Sequence, residues 1–181
     1  TFSLIDKQDD LVNQIISLWK RKGEEYSQEE NFALEFARKM TGFIPVIYSA
    51  ADVTYAVGYR LKCQFNENSK LHAFHNIIPE MNHNEIIGWE SFTSKNLQAK
   101  VIYITDESYH PQILKRFIIS SELITGTGAE ILELKSQEKY LKVRILDLIY
   151  LGDWITYYTA LLRAYDPSEI DNIYTLKNRL E

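Results

Sequence analysis

Two kinds of apolar pattern alternate along the chain. Short apolar runs, which are typical of strands buried on both faces of a sheet, occupy residues 43–50, 100–105 and 129–136. Between them lie longer segments whose apolar residues recur every three or four positions, as in helices packed against a core. These segments predict helices at 8–39 (with a polar break near Ser27), 52–65, 110–124 and 138–165. Strands that alternate with helices of this length indicate βαβ units and therefore a parallel sheet.

The predicted fold is of the α/β class, a three-layer α/β/α sandwich in which helices cover both faces of a parallel sheet. Residues 1–181 have the size of a single domain, and residues 1–40 are interpreted as a helical lead-in to the first strand. Such sheets usually have more than three strands, so we expect one or two more within 72–96. The last helix is predicted to begin with Asp166 as its N-cap and Pro167 at its first position.

Charge, hydropathy and cysteine content limit the partners and the location that we expect for this chain. The chain carries a formal net charge of −5 and has no basic segment that could collect phosphates, so we expect neither duplex nucleic acid nor an anionic membrane surface as a partner. The most apolar segment, 145–162, contains Asp147 and Asp153, which favours a buried helix over a membrane span. The only cysteine, Cys63, cannot form an intrachain disulfide, which suits a reducing cytoplasm.

The polar segment 64–88 contains most of the residues that could carry chemistry, including three of the four histidines: His72, His75 and His83. One interpretation is that these are solvated loop residues. A second is a metal site, and with it a metal-dependent hydrolase, in which His72 and His75 bind the ion together with His83 or Glu85. A third is proton-transfer catalysis with Glu67 as the base and His83 as its acid/base partner. The residue pattern alone leaves these alternatives open.

Three motifs in this part of the chain resemble a known family. They are IPVIYSA at 44–50, NENSK at 66–70 and PEMNHNEIIGWE at 79–90. Together they are similar to the C-terminal domain of bifunctional phosphoglucose/phosphomannose isomerases, which belongs to the sugar isomerase (SIS) fold group. The resemblance extends over essentially the whole chain and implies a flavodoxin-like arrangement of the sheet.

The resemblance implies an aldose–ketose isomerase that converts glucose 6-phosphate or mannose 6-phosphate to fructose 6-phosphate through a cis-enediol(ate). In this interpretation Glu67 is the catalytic base that moves a proton between C2 and C1. His83, contributed by the neighbouring subunit, opens the sugar ring, and Lys177 near the chain end assists. The candidate substrate contacts are Ser49, Arg60, Asn66 and Asn84. The chemistry implied in this way needs no metal ion and no organic cofactor.

The family's full chain has two SIS domains, and the first contributes the Ser/Thr-rich loop that binds the sugar phosphate. This sequence matches only the second domain. We therefore expect a missing N-terminal SIS domain or a separate partner chain, together with a homodimer in which His83 is shared across subunits. Ser49 remains a candidate anion contact at a helix N-terminus. The alternative function is a non-catalytic SIS module that binds sugar phosphates or serves for dimerisation.

Overall fold

Four parallel strands form the centre of the fold in a computed structural model that describes residues 6–92 and 97–180. The strands are β1 (Ile44–Ala50), β2 (Phe74–Ile78), β3 (Ala99–Thr105) and β4 (Ile131–Lys135). Their order in the sheet is β2-β1-β3-β4, and each neighbouring pair is parallel. This order matches the first four strands of a flavodoxin-like sheet. The three strands predicted from apolar runs are confirmed.

The strand β2 lies within the segment 72–96, where a further strand was expected. Residues 93–96 of that segment, like residues 1–5 of the predicted lead-in, lie outside the described residues. Pro45 is the second residue of β1, as expected for a residue that has no N–H to donate to a strand ladder.

Helices cover both faces of the sheet, which confirms the three-layer sandwich. The helices are α1 (Asp9–Tyr26), α2 (Phe32–Met40), α3 (Tyr55–Glu67), α4 (Glu85–Gly88), α5 (Pro111–Gly126), α6 (Leu141–Leu162) and α7 (Asp171–Leu180). Helices α1, α2 and α3 pack on α6, and α3 also packs on β1 and β2. Helix α5 and the short helical turns between β2 and β3 cover the opposite face.

The two faces of the sheet are filled by alternate residues of the same strands, as the strand period of two requires. Ile47 and Ile102 are fully buried on the face of α3 and α6, where they pack with Leu61. Tyr48 and Tyr103 point the other way, towards α5. The central strands β1 and β3 are thus apolar on both sides, which explains why their sequences are continuous apolar runs.

The predicted helix at 8–39 is divided in two at the polar break. Helix α1 ends at Tyr26, and α2 begins at Phe32 after the N-cap Asn31. The Oδ1 atom of Asn31 accepts a hydrogen bond from the Leu34 N–H at 2.9 Å, while its Nδ2 donates to the carbonyl of Tyr26 at 2.8 Å. One side chain therefore begins the second helix and holds it to the end of the first.

The predicted start of the last helix is wrong, because α7 begins at Asp171 and not after Asp166. The Oδ1 atom of Asp166 accepts hydrogen bonds from the N–H and the hydroxyl of Ser168, at 2.8 and 2.6 Å. The carboxylate closes a local turn that contains Pro167, and this turn competes with the helix cap. Within residues 6–92 and 97–180, no helix is both long and apolar enough to cross a membrane.

Candidate active site

The end of α3 and the start of α7 enclose an open cavity of about 510 Å³. Its lining residues come from two stretches of chain, 66–72 and 165–173: Asn66, Glu67, Lys70, Leu71, His72, Tyr165, Glu169, Ile170, Asp171, Asn172 and Ile173. Glu67 is the last residue of α3 and is exposed to solvent. The structure therefore places the predicted base on the wall of a cavity large enough for a small ligand.

The position of Glu67 follows from the packing of α3. Val57, Leu61 and Phe65 form the buried side of this helix and fix its rotation against the sheet. Asn66 then ties the end of α3 to the start of β2, because its Oδ1 atom accepts a hydrogen bond from the Ala73 N–H at 3.0 Å. Glu67 is left facing outwards next to this junction. The cavity consequently lies at the amino end of β2.

His83 lies beyond the other end of β2. It follows a 3₁₀ turn at Glu80–Asn82, it is exposed, and it does not line the cavity that contains Glu67. The five residues of β2 separate the two ends by about 13 Å at the usual rise per residue. Within a single chain, Glu67 and His83 are therefore not brought together.

Lys177 is exposed on α7, and it does not line the cavity either. The first residue of α7, Asp171, does line it, and Lys177 follows six residues later, about 9 Å along the helix axis. None of the described residues of α7 is buried. The helix thus begins at the cavity wall and carries Lys177 away from it.

The predicted substrate contacts other than Asn66 are engaged elsewhere. Ser49 is fully buried, and the two oxygens of Asp153 hold Arg60 at 3.1 Å. The Oδ1 atom of Asn84 accepts a hydrogen bond from the Glu85 N–H at 2.6 Å, so Asn84 caps α4. The complete burial of Ser49 argues against a direct role in binding an anion, because its hydroxyl has no contact with solvent.

A cluster around His75 was not recognised from the sequence. The Nε2 atom of His75 and the hydroxyl of Ser49 are hydrogen-bonded at 2.8 Å, and the rings of Tyr55 and Tyr59 lie against the imidazole. Burial, reinforced by the positive charge of Lys62, lowers the pKa of His75 to about 4. The imidazole is therefore neutral at neutral pH.

The close packing of this cluster depends on a glycine in α3. A Cβ atom at Gly58 would lie 2.5 Å from Nε2 of His75 and 2.8 Å from the Ser49 hydroxyl. A glycine inside an otherwise regular helix was the available signal that another part of the chain approaches closely there.

The histidines do not form the metal site that was one interpretation of their spacing. In the part of the chain that the structure describes, no three His, Cys, Asp or Glu side chains form a group that could hold a metal ion. His72 packs against the ring of Phe74, whereas His75 is directed towards Ser49. Residues 72 and 75 therefore diverge at the start of a strand, where a spacing of three positions places them on opposite sides.

Comparison with known proteins identifies the class of this fold. Residues 29–180 match the family model described as the bacterial phospho-glucose isomerase C-terminal SIS domain. A solved structure of a glucose-6-phosphate isomerase like protein from Thermus thermophilus superimposes with a TM-score of 0.73 over 90% of this chain and 56% of that chain. Its sequence identity is 15%, so this likeness concerns the fold alone.

Two curated relatives are both named bifunctional phosphoglucose/phosphomannose isomerase. The protein from Aquifex aeolicus is 33% identical over 98% of this chain and 52% of its own length. The protein from Caldicellulosiruptor bescii is 32% identical over 98% of this chain and 53% of its own length. The chain is an SIS domain. More specifically, it belongs to the bacterial phospho-glucose isomerase C-terminal SIS domain family, and it spans about half the length of the curated relatives it matches.

Proposed function

We propose that this chain is the catalytic C-terminal half of a phosphoglucose/phosphomannose isomerase, with Glu67 as the general base. The observation that carries the proposal is the exposed carboxylate of Glu67 on the wall of the 510 Å³ cavity. The names of the curated relatives support the same reaction class. We also propose that residues 1–181 act as one SIS-type domain with 1–40 as its lead-in. The single cysteine favours a cytoplasmic location.

The proposed reaction moves one proton between neighbouring carbons. In the open-chain aldose, the C2–H bond breaks, its proton passes to Glu67, and its electron pair forms the C1–C2 double bond. The C1 carbonyl oxygen takes up a proton, which gives a cis-enediol. The ketose forms when the hydroxyl on C2 loses its proton to become a carbonyl and Glu67 returns its proton to C1. One exposed carboxylate can serve both carbons, because they are adjacent.

The charges around the cavity indicate which end of the substrate it holds. Three carboxylates line it, those of Glu67, Glu169 and Asp171, and the Lys70 ammonium is hydrogen-bonded to backbone carbonyls. A phosphate dianion would be repelled from such a wall, whereas the hydroxyl groups of a sugar can donate hydrogen bonds to it. We therefore propose that C1 and C2 enter this cavity. The phosphate then binds to residues of an N-terminal SIS domain or of a partner chain.

The separation of Glu67 and His83 is the basis for the proposed homodimer. Because these residues lie near opposite ends of β2, one chain cannot present both to the same sugar. A second copy related by a two-fold axis could supply its His83 to the cavity of the first. In that assembly His83 donates to the ring oxygen during ring opening, and Lys177 assists from its position on α7 outside the cavity.

Replacement of the base in the full-length protein tests the proposal. We expect Glu67→Gln to lower the conversion of fructose 6-phosphate by roughly 10³-fold or more, since a general base contributes about 10²–10⁴ and an amide cannot accept the C1 proton of this ketose. Exchange of the C1 hydrogen of fructose 6-phosphate with deuterated solvent should be lost in parallel. Glu169→Gln neutralises another carboxylate of the same cavity but keeps an oxygen that can accept a hydrogen bond from a sugar hydroxyl, so this matched control should retain most of the activity.

Two results would contradict the proposal. Near-normal turnover by Glu67→Gln would show that the base lies elsewhere. A full-length wild-type protein that binds hexose 6-phosphates without isomerising them would instead favour the non-catalytic SIS module.

A further inference from the structure

Lys70 adopts a backbone conformation that glycine usually provides. Its φ angle is 50°, and among the described residues only Lys70 and Ala164 combine a positive φ with a side chain. Lys70 reverses the chain after α3, and the Leu71 N–H then bonds to the Phe65 carbonyl at 3.1 Å. A lysine in the left-handed region has a backbone cost that glycine would avoid. We infer that hydrogen bonds made by the Lys70 side chain offset this backbone cost.

All three N–H donors of the Lys70 ammonium group have an acceptor within the protein. The ammonium donates to the carbonyl of Glu67 at 2.9 Å, to that of Pro167 at 3.2 Å and to that of Asn68 at 3.5 Å. The carbonyls of Glu67 and Asn68 belong to the end of α3, where no further N–H of the helix is available to them. A positive charge at a helix C-terminus is also favourable. Lys70 is thus a cap of α3 made by a side chain from outside the helix.

The bond to Pro167 connects the two walls of the cavity. One wall is the end of α3 with Glu67, and the other is the stretch 165–173 that follows α6. The turn that holds Lys70 is itself anchored, because the hydroxyl of the buried Ser69 donates to the Thr156 carbonyl at 2.7 Å. Lys70 therefore sets the distance between a fixed helix end and the segment that faces it.

We propose that Lys70 is a positioning residue for Glu67. By holding the backbone of Glu67 and the Pro167 turn at once, its ammonium fixes both the direction of the carboxylate and the width of the cavity. This inference rests on the proposed function of Glu67 as the base. Lys70 itself does not touch the reacting carbons. A shift of about 1 Å between a base and its substrate is enough to slow a reaction by roughly 10²-fold.

Kinetics of the full-length protein test this role with three variants at position 70 and one control. Lys70→Met keeps the apolar stem and removes the donors, and Lys70→Asn removes the ammonium while tolerating the left-handed backbone. We expect both to lower kcat by about 10- to 100-fold with a much smaller change in KM. Lys70→Arg, which keeps a cation with several donors, should restore part of kcat. Lys115→Met, on the exposed side of α5, should match the wild type.

Amide hydrogen exchange gives a readout that is independent of turnover. Loss of the bond to Pro167 should increase exchange in 164–173 and leave the core of α6 unchanged. If Lys70→Met and Lys70→Asn retained normal kcat and normal exchange while Glu67→Gln was inactive, the positioning role would be wrong and the base would stand. If Glu67→Gln was as active as the wild type, the proposed function itself would fail. Equal losses in Lys70→Arg and Lys70→Met would also overturn the positioning role.

Discussion

The carboxyl ends of the central strands β1 and β3 differ from the amino end of β2 in whether they leave room for a ligand. At the carboxyl ends of β1 and β3, where parallel α/β sheets usually bind their ligands, polar side chains bond to one another and fill the space. At the amino end of β2, the end of α3 and the start of α7 leave an open cavity with an exposed carboxylate. The usual ligand position of the fold therefore does not locate the candidate site in this chain.

The crevice between the carboxyl ends of β1 and β3 is closed by a chain of hydrogen bonds. The Ala50 N–H donates to the Thr54 hydroxyl at 3.1 Å, and that hydroxyl donates to the phenol oxygen of Tyr109. The Tyr109 hydroxyl then donates to the Ile104 carbonyl at 2.9 Å. Thr54 is fully buried and Tyr109 is almost so. A ligand could enter here only by displacing the hydrogen-bonded side chains of Thr54 and Tyr109.

Next to it, a buried ion pair joins β3 to α6. The guanidinium of Arg144 makes two hydrogen bonds to the carboxylate of Asp106, at 2.7 and 2.9 Å, and both residues are buried. Burial alone would raise the pKa of Asp106, but hydrogen bonds from Arg144 and Ser108 outweigh it and hold the pKa below its usual value. The hydrogen-bonding groups of Asp106 and Arg144 are satisfied within the protein, so we interpret the carboxyl ends of β1 and β3 as a structural joint.

The largest effect on stability is expected from breaking this ion pair. Asp106→Ala leaves the Arg144 charge buried without its main partner, so the free energy of unfolding should fall by about 3–5 kcal/mol. Urea denaturation of the purified protein measures this change. The matched control is Glu107→Ala, because Glu107 also contacts Arg144, at 3.0 Å, but its side chain is largely exposed. That variant should lose no more than about 1 kcal/mol. If both variants lost a similar free energy of unfolding, burial of the Asp106–Arg144 pair would not explain its contribution to stability.

A smaller loss of stability is expected when the hydrogen bonds of the Tyr109 hydroxyl are removed. Tyr109→Phe removes the hydroxyl between Thr54 and Ile104, and leaving buried partners unsatisfied should cost about 1–3 kcal/mol. The same measurement on Tyr140→Phe, at a side chain that is 54% exposed, should give almost no change. The proposed isomerase activity of the full-length protein should be retained in Tyr109→Phe. A loss of substrate binding without a loss of stability would place a ligand at the carboxyl ends of β1 and β3.

The sequence predicted strands β1, β3 and β4 individually, whereas for β2 it predicted only that a strand lies within 72–96. The runs at β1 and β3 are apolar on both faces because helices cover both faces, and this burial is visible in the residues themselves. Strand β2, with the sequence FHNII, is only partly buried at the edge of the sheet and has no apolar run. Its polar residues are explained by contacts with other elements, such as the bond from Asn76 to Glu85 at 2.6 Å.

In the candidate site, the sequence identified the residues of the NENSK motif but not the long-range partners of the other candidate residues. The NENSK motif identified Glu67 as a candidate, and the structure has Glu67 and Lys70 on the cavity wall; the role of Glu67 as the base stays a prediction. The partners of Ser49 and Arg60 could not be predicted, because His75 and Asp153 lie 26 and 93 residues away in sequence. Only the packing of β1 against β2 and of α3 against α6 brings these pairs together. Long-range contacts of this kind leave no local pattern in the sequence.

The smallest expected effect on stability is that of Glu67→Gln, at the open cavity beside the amino end of β2. Glu67 is exposed, and its side chain makes no hydrogen bond or ion pair in the described structure. Glu67→Gln should therefore change the free energy of unfolding by less than about 0.5 kcal/mol, although the same variant is expected to abolish turnover. Urea denaturation beside the activity assay separates these two effects. A loss of stability comparable to that of Asp106→Ala would mean that Glu67 supports the fold, and the inactivity of the variant could then no longer be assigned to the missing base.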